Sequence, residues 1–155
     1  MLEIPFVLIR STSKLPTRAH STDAGLDLYA AEAALVSSGA ITTVATGVAV
    51  NIPAGYAGLI WPRSGLSTDH GVDTMAGVID AGYTGEISVV LTSHQAGTQH
   101  RIEIGDKIAQ LVIQPIPATQ FRQVSSLPDT ERAKAGFGST DRPSRFDEAA
   151  APSDL

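Results

Sequence analysis

Ile41-Thr42-Thr43-Val44-Ala45-Thr46-Gly47-Val48-Ala49-Val50-Asn51-Ile52, the turn Pro53-Ala54-Gly55, and then Tyr56-Ala57-Gly58-Leu59-Ile60-Trp61 form the stretch from which the fold class is read. It is the most apolar region of the 155-residue chain, yet Asn51, Pro53, Gly55 and Gly58 break it long before the 18 or so apolar residues needed to cross a bilayer. Two β-branched and aliphatic runs flanking Pro-Ala-Gly read instead as two strands joined by a turn.

The same grammar extends in both directions. Short aliphatic runs are punctuated by Gly and Pro, and no window of 11 or more residues holds a helical 3.6 period. Strands are predicted at Ile4 to Arg10, Leu26 to Tyr29, Ala33 to Val36, Ile41 to Ile52, Ala57 to Trp61, Glu86 to Thr92, Arg101 to Ile104, Lys107 to Ile113 and Gln120 to Val124. Within Glu86 to Thr92, Ile87, Val89 and Leu91 share one face, with Ser88 and Val90 on the other. Within Lys107 to Ile113, strict alternation puts Gln110 with Ile108 and Val112, opposite Leu111 and Ile113. The expectation is an all-β sandwich or barrel. Residues 1–124 form the domain. Residues 125–140 read as a mobile arm and 141–155 as a disordered tail, because bulky apolar residues almost vanish there.

Composition narrows the function. The chain has 11 basic and 16 acidic residues, a formal charge of −5, and no Cys. A thiolate metal site, a disulfide framework and a cysteine nucleophile are excluded. The acidic balance argues against a nucleic-acid partner, so positive groups that meet a polyanion must be local. The acid at Glu3 and the interruption at Arg10 argue against a secretory leader, and no membrane partner is expected. His20, His70, His94 and His100 lack zinc-site spacing, and P-loop, dinucleotide-binding and nucleophile-elbow motifs are absent.

Four segments could carry chemistry. Trp61-Pro62-Arg63-Ser64-Gly65-Leu66-Ser67 offers a guanidinium, a hydroxyl and backbone N–H groups suited to phosphate, although alone it also reads as a Pro/Ser/Gly turn with a solvated Arg. Ala76-Gly77-Val78-Ile79-Asp80-Ala81-Gly82-Tyr83-Thr84-Gly85-Glu86 delivers an Asp into a tight turn, either as a general base or as a turn cap. Ala135-Gly136-Phe137-Gly138-Ser139-Thr140 holds a Phe with nothing local to pack on: a lid over a base, or a linker. Ala24-Gly25-Leu26-Asp27-Leu28-Tyr29-Ala30 sets an Asp in an apolar strand, where it needs a basic partner or a metal's water shell unless it faces solvent.

In order and spacing these segments, with Gly105-Asp106-Lys107-Ile108-Ala109-Gln110-Leu111, resemble the five motifs of the trimeric dUTP diphosphatases (dUTPases) from about Pro5 to Thr140. The resemblance implies a distorted jelly-roll or β-clip protomer in a homotrimer with a C-terminal arm. It further implies Mg²⁺ as cofactor, dUTP as substrate, dUMP and diphosphate as products, and a cytoplasmic location, or a nuclear one in a eukaryote. Asp80 would be the base, with Arg63, Ser64 and Gln110 completing the catalytic set. Substrate contacts would come from Arg63, Ser64, Gly65, Thr74, Gly77, Val78, Ile79, Asp80, Tyr83, Gln110, Arg132, Phe137, Gly138, Ser139 and Thr140, with Asp27 meeting the metal indirectly through water.

Two departures from the family pattern stand out. Ala133 and Ala135 occupy positions where the family usually has Gly, and Thr74 and Met75 replace the Asn and Gly found in some members. The related dCTP deaminases resemble one another in a Glu about ten residues after the turn Asp; here that residue is Val90, which cannot move protons. A non-catalytic trimeric binding protein is the alternative from another class, but a scaffold has no need of Asp80, Tyr83, Arg63 and Gln110.

Overall fold

A computed structural model describes residues 2–130. Ten strands and one short helix follow one another as β1 (Phe6–Leu8), β2 (Leu26–Tyr29), β3 (Ala34–Ser37), β4 (Thr42–Val50), β5 (Tyr56–Trp61), α1 (Ser64–His70), β6 (Val72–Thr74), β7 (Val78–Ile79), β8 (Glu86–Ser93), β9 (Gln99–Ile102) and β10 (Lys107–Pro115). The strands build two four-stranded sheets, ordered β1-β4-β8-β6 and β2-β10-β5-β7, and a two-stranded pair of β3 and β9. Every named pairing is antiparallel.

Period-2 patterning explains the arrangement. In β8, Ile87, Val89 and Leu91 are buried while Ser88 is exposed, as alternation requires. They meet Val44 and Val48 of β4, Leu28 of β2, Ala109 and Leu111 of β10, and Val36 and Ile102 from the small pair in one core. At roughly 25 cal/mol per Å² of apolar surface removed from water, this shared core is the main stabilising term.

Three expectations need correction. Gln120 to Val124 is not a strand; residues 120–130 form a separate unit of exposed chain without regular structure, and Phe121 is fully exposed. Its apolar residues find no partner strand among the described residues to pair their N–H and C=O groups. Trp61 to Ser67 is not simply a turn, because Ser64 begins α1, a seven-residue helix too short to show a period. Finally, β10 does not alternate strictly. A β-bulge between Lys107 and Ala109 puts Ile108 and Ala109 both in the core, so Ile108 does not share the face of Gln110.

Candidate functional site

The sheet β2-β10-β5-β7 sets the geometry. Gln110 on β10 pairs with Asp27 on one side and Trp61 on the other, so these three side chains share a face. Arg63 follows Trp61 by two residues. Its Nε donates to Asp27 Oδ1 at 3.0 Å, and its Nη1 to the Lys107 carbonyl at 3.4 Å. Lys107 Nζ lies 2.7 Å from the second oxygen, Asp27 Oδ2. That bond raises the Lys107 ammonium above its ordinary value. Asp27 therefore has basic partners, one of the two environments that the sequence left open.

Asp27, Arg63 and Gln110 open on a cleft of about 310 Å³ lined also by Ala19, Asp23, Ala24, Gly25, Ser64 and Gly65; Lys107 stands behind Asp27, outside this lining. Gln110 Nε2 donates to the Pro62 carbonyl at 2.9 Å, which turns its Oε1 toward Gly25. A Cβ at position 25 would lie 2.5 Å from that oxygen, so only glycine leaves the amide where it stands. Ser64 is exposed, and no partner is recorded for its hydroxyl among the described residues. The Ser64 hydroxyl and the Arg63 guanidinium thus face one cleft as donors, which is what phosphate oxygens require, while Gln110 turns its amide oxygen, an acceptor, toward Gly25.

The other half of the predicted constellation lies on the segment after α1, which is not a hairpin: β6 joins the sheet of β8 and β7 that of β5. Val78 and Ile79 pair with Leu59 and Gly58 of β5, and the Gly77 carbonyl accepts the Ile60 N–H at 2.7 Å. A Cβ on Gly77 would stand 2.8 Å from the Ile60 carbonyl oxygen, so the chain entering β7 can lie this close to β5 only with glycine there. Thr74 is half-buried and its N–H donates to Asp73 Oδ1. Asp80 is exposed, and its carbonyl accepts the Tyr83 N–H at 3.1 Å, closing the turn through the backbone while no hydrogen bond of its carboxylate is recorded among the described residues. Tyr83 is half-exposed, lies across Gly85, and donates its hydroxyl to the Glu86 carbonyl at 3.0 Å.

Glu86 in turn receives a two-bond fork from Arg10, at 2.7 and 2.9 Å, and the Gly47 N–H at 2.8 Å. The Arg10 hydrogen bond, with that of Gly47, holds the Glu86 carboxyl below its ordinary value.

The cleft and the segment 74–83 do not meet in one chain. Asp80 stands one residue past Ile79, level with Ala57 on β5, whereas Gln110 is level with Trp61 on the opposite side. Four residues of about 3.3 Å along β5, and two strand spacings of about 4.8 Å across it, separate the two Cα atoms by roughly 16 Å. No residue of 74–83 lines the cleft. Arg132, Phe137, Gly138, Ser139 and Thr140 lie outside the described residues.

Lys107 is the functional neighbour that sequence reasoning missed. Alternation carried back from Gln110 assigns it the wrong face, and only the bulge reveals its contact with Asp27.

A family model described as dUTPase matches residues 11–141. The deoxyuridine 5'-triphosphate nucleotidohydrolase of Gloeobacter violaceus is 48% identical over 130 residues, covering 81% of this chain and 88% of that protein. That of Leifsonia xyli is 43% identical over 141 residues, covering 90% of each. Among solved structures, a point mutant of the Staphylococcus bacteriophage 80alpha dUTPase with dUpNHpp superimposes with a TM-score of 0.84 at 31% identity, covering 90% of this chain and 98% of that one. A mutant of the dUTPase from phage phi11 of S. aureus, described as revealing the coordination of a structural Mg(II) ion, gives a TM-score of 0.76 at 30% identity, covering 83% of this chain and all of that one.

Proposed function

The chain belongs to the dUTPase family, and on that premise we propose that it hydrolyses dUTP to dUMP and diphosphate by water attack on the α-phosphorus. The reaction keeps uracil out of DNA and supplies dUMP for thymidylate synthesis. The observation that carries the site assignment is the cleft in which Arg63 and Ser64 present donors beside Asp27, with Gln110 held against the Pro62 carbonyl in the same wall. Phosphoryl chemistry needs little covalent help from a protein; positioned donors and charge supply most of the rate. Asp80, its carboxylate uncommitted in the turn, is the base that orients and deprotonates the attacking water. Tyr83 packs under the deoxyribose and excludes a 2′-OH, while main-chain groups from Thr74 to Val78 read the uracil edge.

The roughly 16 Å between Asp80 and Gln110 of one chain supports a site shared between subunits of a homotrimer. The edge strand β1 supports the same reading, since Phe6, Val7 and Leu8 are all exposed on it. Arg132, Ser139 and Thr140 of the arm would hold the terminal phosphates, and Phe137 would cover the base.

Magnesium fits this cleft as a companion of the triphosphate rather than as a resident of a protein cage. Among the described residues no three His, Asp or Glu side chains form a ligand set, and cations already occupy both oxygens of Asp27. Bound to substrate phosphates and keeping its waters, Mg²⁺ supplies charge neutralisation, and Asp27 reaches it through water. The phi11 relative is described as coordinating a structural Mg(II) ion, which supports magnesium in the family. No described helix is long and apolar enough to cross a membrane; a cytoplasmic location belongs to the same reading.

One assay separates the reaction from its alternatives. Purified protein with Mg²⁺ should release one diphosphate and one dUMP per dUTP. Ammonia released from dCTP would instead establish a deaminase, which Val90 argues against: its carbonyl accepts the Met75 N–H at 2.9 Å, and its side chain is aliphatic. Binding of dUTP without turnover would establish a non-catalytic protein.

A further inference from the structure

The bulge in β10 has a chemical consequence. Gln110 faces Asp27 and Ala109 faces Leu28, but Lys107 rather than Ile108 faces Tyr29. Without the extra residue, Lys107 would stand opposite Ala30, which is buried in the core. With it, Lys107 falls on the face of Asp27 and Gln110, diagonally beside Asp27 and within reach of a long side chain.

Lys107 Nζ therefore takes Asp27 Oδ2, leaving only Oδ1 for Arg63 Nε. A guanidinium beside a carboxylate with both oxygens available prefers a two-bond fork. Here the second oxygen is taken, and Arg63 Nη1 is turned to the Lys107 carbonyl. No partner is recorded for Nη2 among the described residues.

Resting on the dUTP reading of this cleft, we propose that Lys107 is a positioning residue for the triphosphate: by occupying Asp27 Oδ2 it prevents an Arg63–Asp27 fork and keeps the Arg63 Nη2 edge available to a phosphate oxygen. When Lys107 is lost, Asp27 closes on Arg63 with both oxygens and draws the guanidinium from the anion.

The test uses K107M, which keeps length and removes charge, and K107R, which keeps both charge and donors. K107M should raise the KM for dUTP and the Kd for inorganic diphosphate, read by calorimetry, about tenfold each, the loss expected for one charge-assisted hydrogen bond. It should leave kcat within about threefold and the Kd for deoxyuridine, which has no phosphate, unchanged. K107R should recover most of the loss. In a D27A background K107M should cost nothing further. Unchanged diphosphate binding in K107M would overturn the proposal, as would an equal loss for deoxyuridine. A tenfold loss that persists in D27A would also overturn it, since Lys107 would then attract the anion directly. Diphosphate binding is measured apart from turnover, so a wild-type protein inactive on dUTP would refute the assigned reaction while the role of Lys107 would still be decided.

Discussion

Replacing Gly25 with alanine should disable the cleft while leaving the fold intact. The new Cβ would lie 2.5 Å from Gln110 Oε1, 3.1 Å from its Cβ and 3.2 Å from its Cδ. Ordinary heavy-atom contact begins near 3.5 Å, so the amide must retreat by about 1 Å. Its bond to the Pro62 carbonyl is 2.9 Å, and an amide turned or shifted by about 1 Å does not keep that bond's geometry. Gly25 does not occupy the left-handed region, so backbone strain adds nothing. The lost neutral bond costs about 1 kcal/mol, and Tm should fall by about 4 °C for a domain of this size. A phosphate-facing group displaced by about 1 Å costs far more in rate, about 10²-fold in kcat/KM. Diphosphate release and calorimetry measure the two effects separately. A double-mutant cycle isolates the cause: truncating Gln110 makes room for the added methyl group, so G25A with Q110A should be no worse than Q110A alone. Refutation would be a G25A enzyme within threefold of wild type, or a double mutant that loses the product of the two single factors.

Asp80→Asn should retain dUTP and lower kcat by about 10²–10⁴-fold, the range for a positioned base; a few-fold loss in steady-state turnover would remove Asp80 from that role. Sedimentation equilibrium should give three protomers, and a stable, fully active monomer would refute the shared site. Phe137→Ala should cost about 1–3 kcal/mol of base stacking in binding of a non-hydrolysable dUTP analogue, and truncation before Arg132 should cost more, with the fold preserved in both. Glu86 supplies a pH dependence. Its carboxyl is held below its ordinary value, so its stabilisation is complete above about pH 4.5 and is lost as pH falls through the folded value; Glu86→Gln should flatten that acid limb in urea titrations.

How far the sequence reaches depends on how local the determining physics is. The alternation of Ile87, Val89 and Leu91 identifies a buried face because each residue reports its own side, and β8 follows it. α1 escapes because seven residues with no buried member carry no period, although Gly71 at its end is a stop signal. Gln120 to Val124 misleads for the opposite reason. Its composition suits a strand, but a strand also needs a partner, which composition does not report. The bulge at Ile108 is the costliest omission, since a one-residue insertion reverses every facing assignment before it. It separates Lys107 from the site on paper and joins it to Asp27 in the fold.

The charge distribution makes the same point at the scale of the molecule. A chain of net charge −5 that handles a triphosphate must gather its cations locally. Among the described residues Arg10 is committed to Glu86 and Glu32, and Arg101 to Glu103, so these surface pairs contribute little positive field. Around Asp27 the ratio reverses, because one carboxylate faces both Arg63 and Lys107. Asp23 lines the same cleft, so two cations there face two carboxylates and the site is near neutral within an otherwise acidic chain, with the Ser64 hydroxyl as a neutral donor. That arrangement attracts phosphate at short range and does little to recruit polyanions from a distance, since exposed charges are screened within about 8–10 Å at ordinary ionic strength. A nucleotide small enough to enter the cleft meets the Arg63 guanidinium at contact distance, while a duplex confined to the surface meets the acidic remainder of the protein.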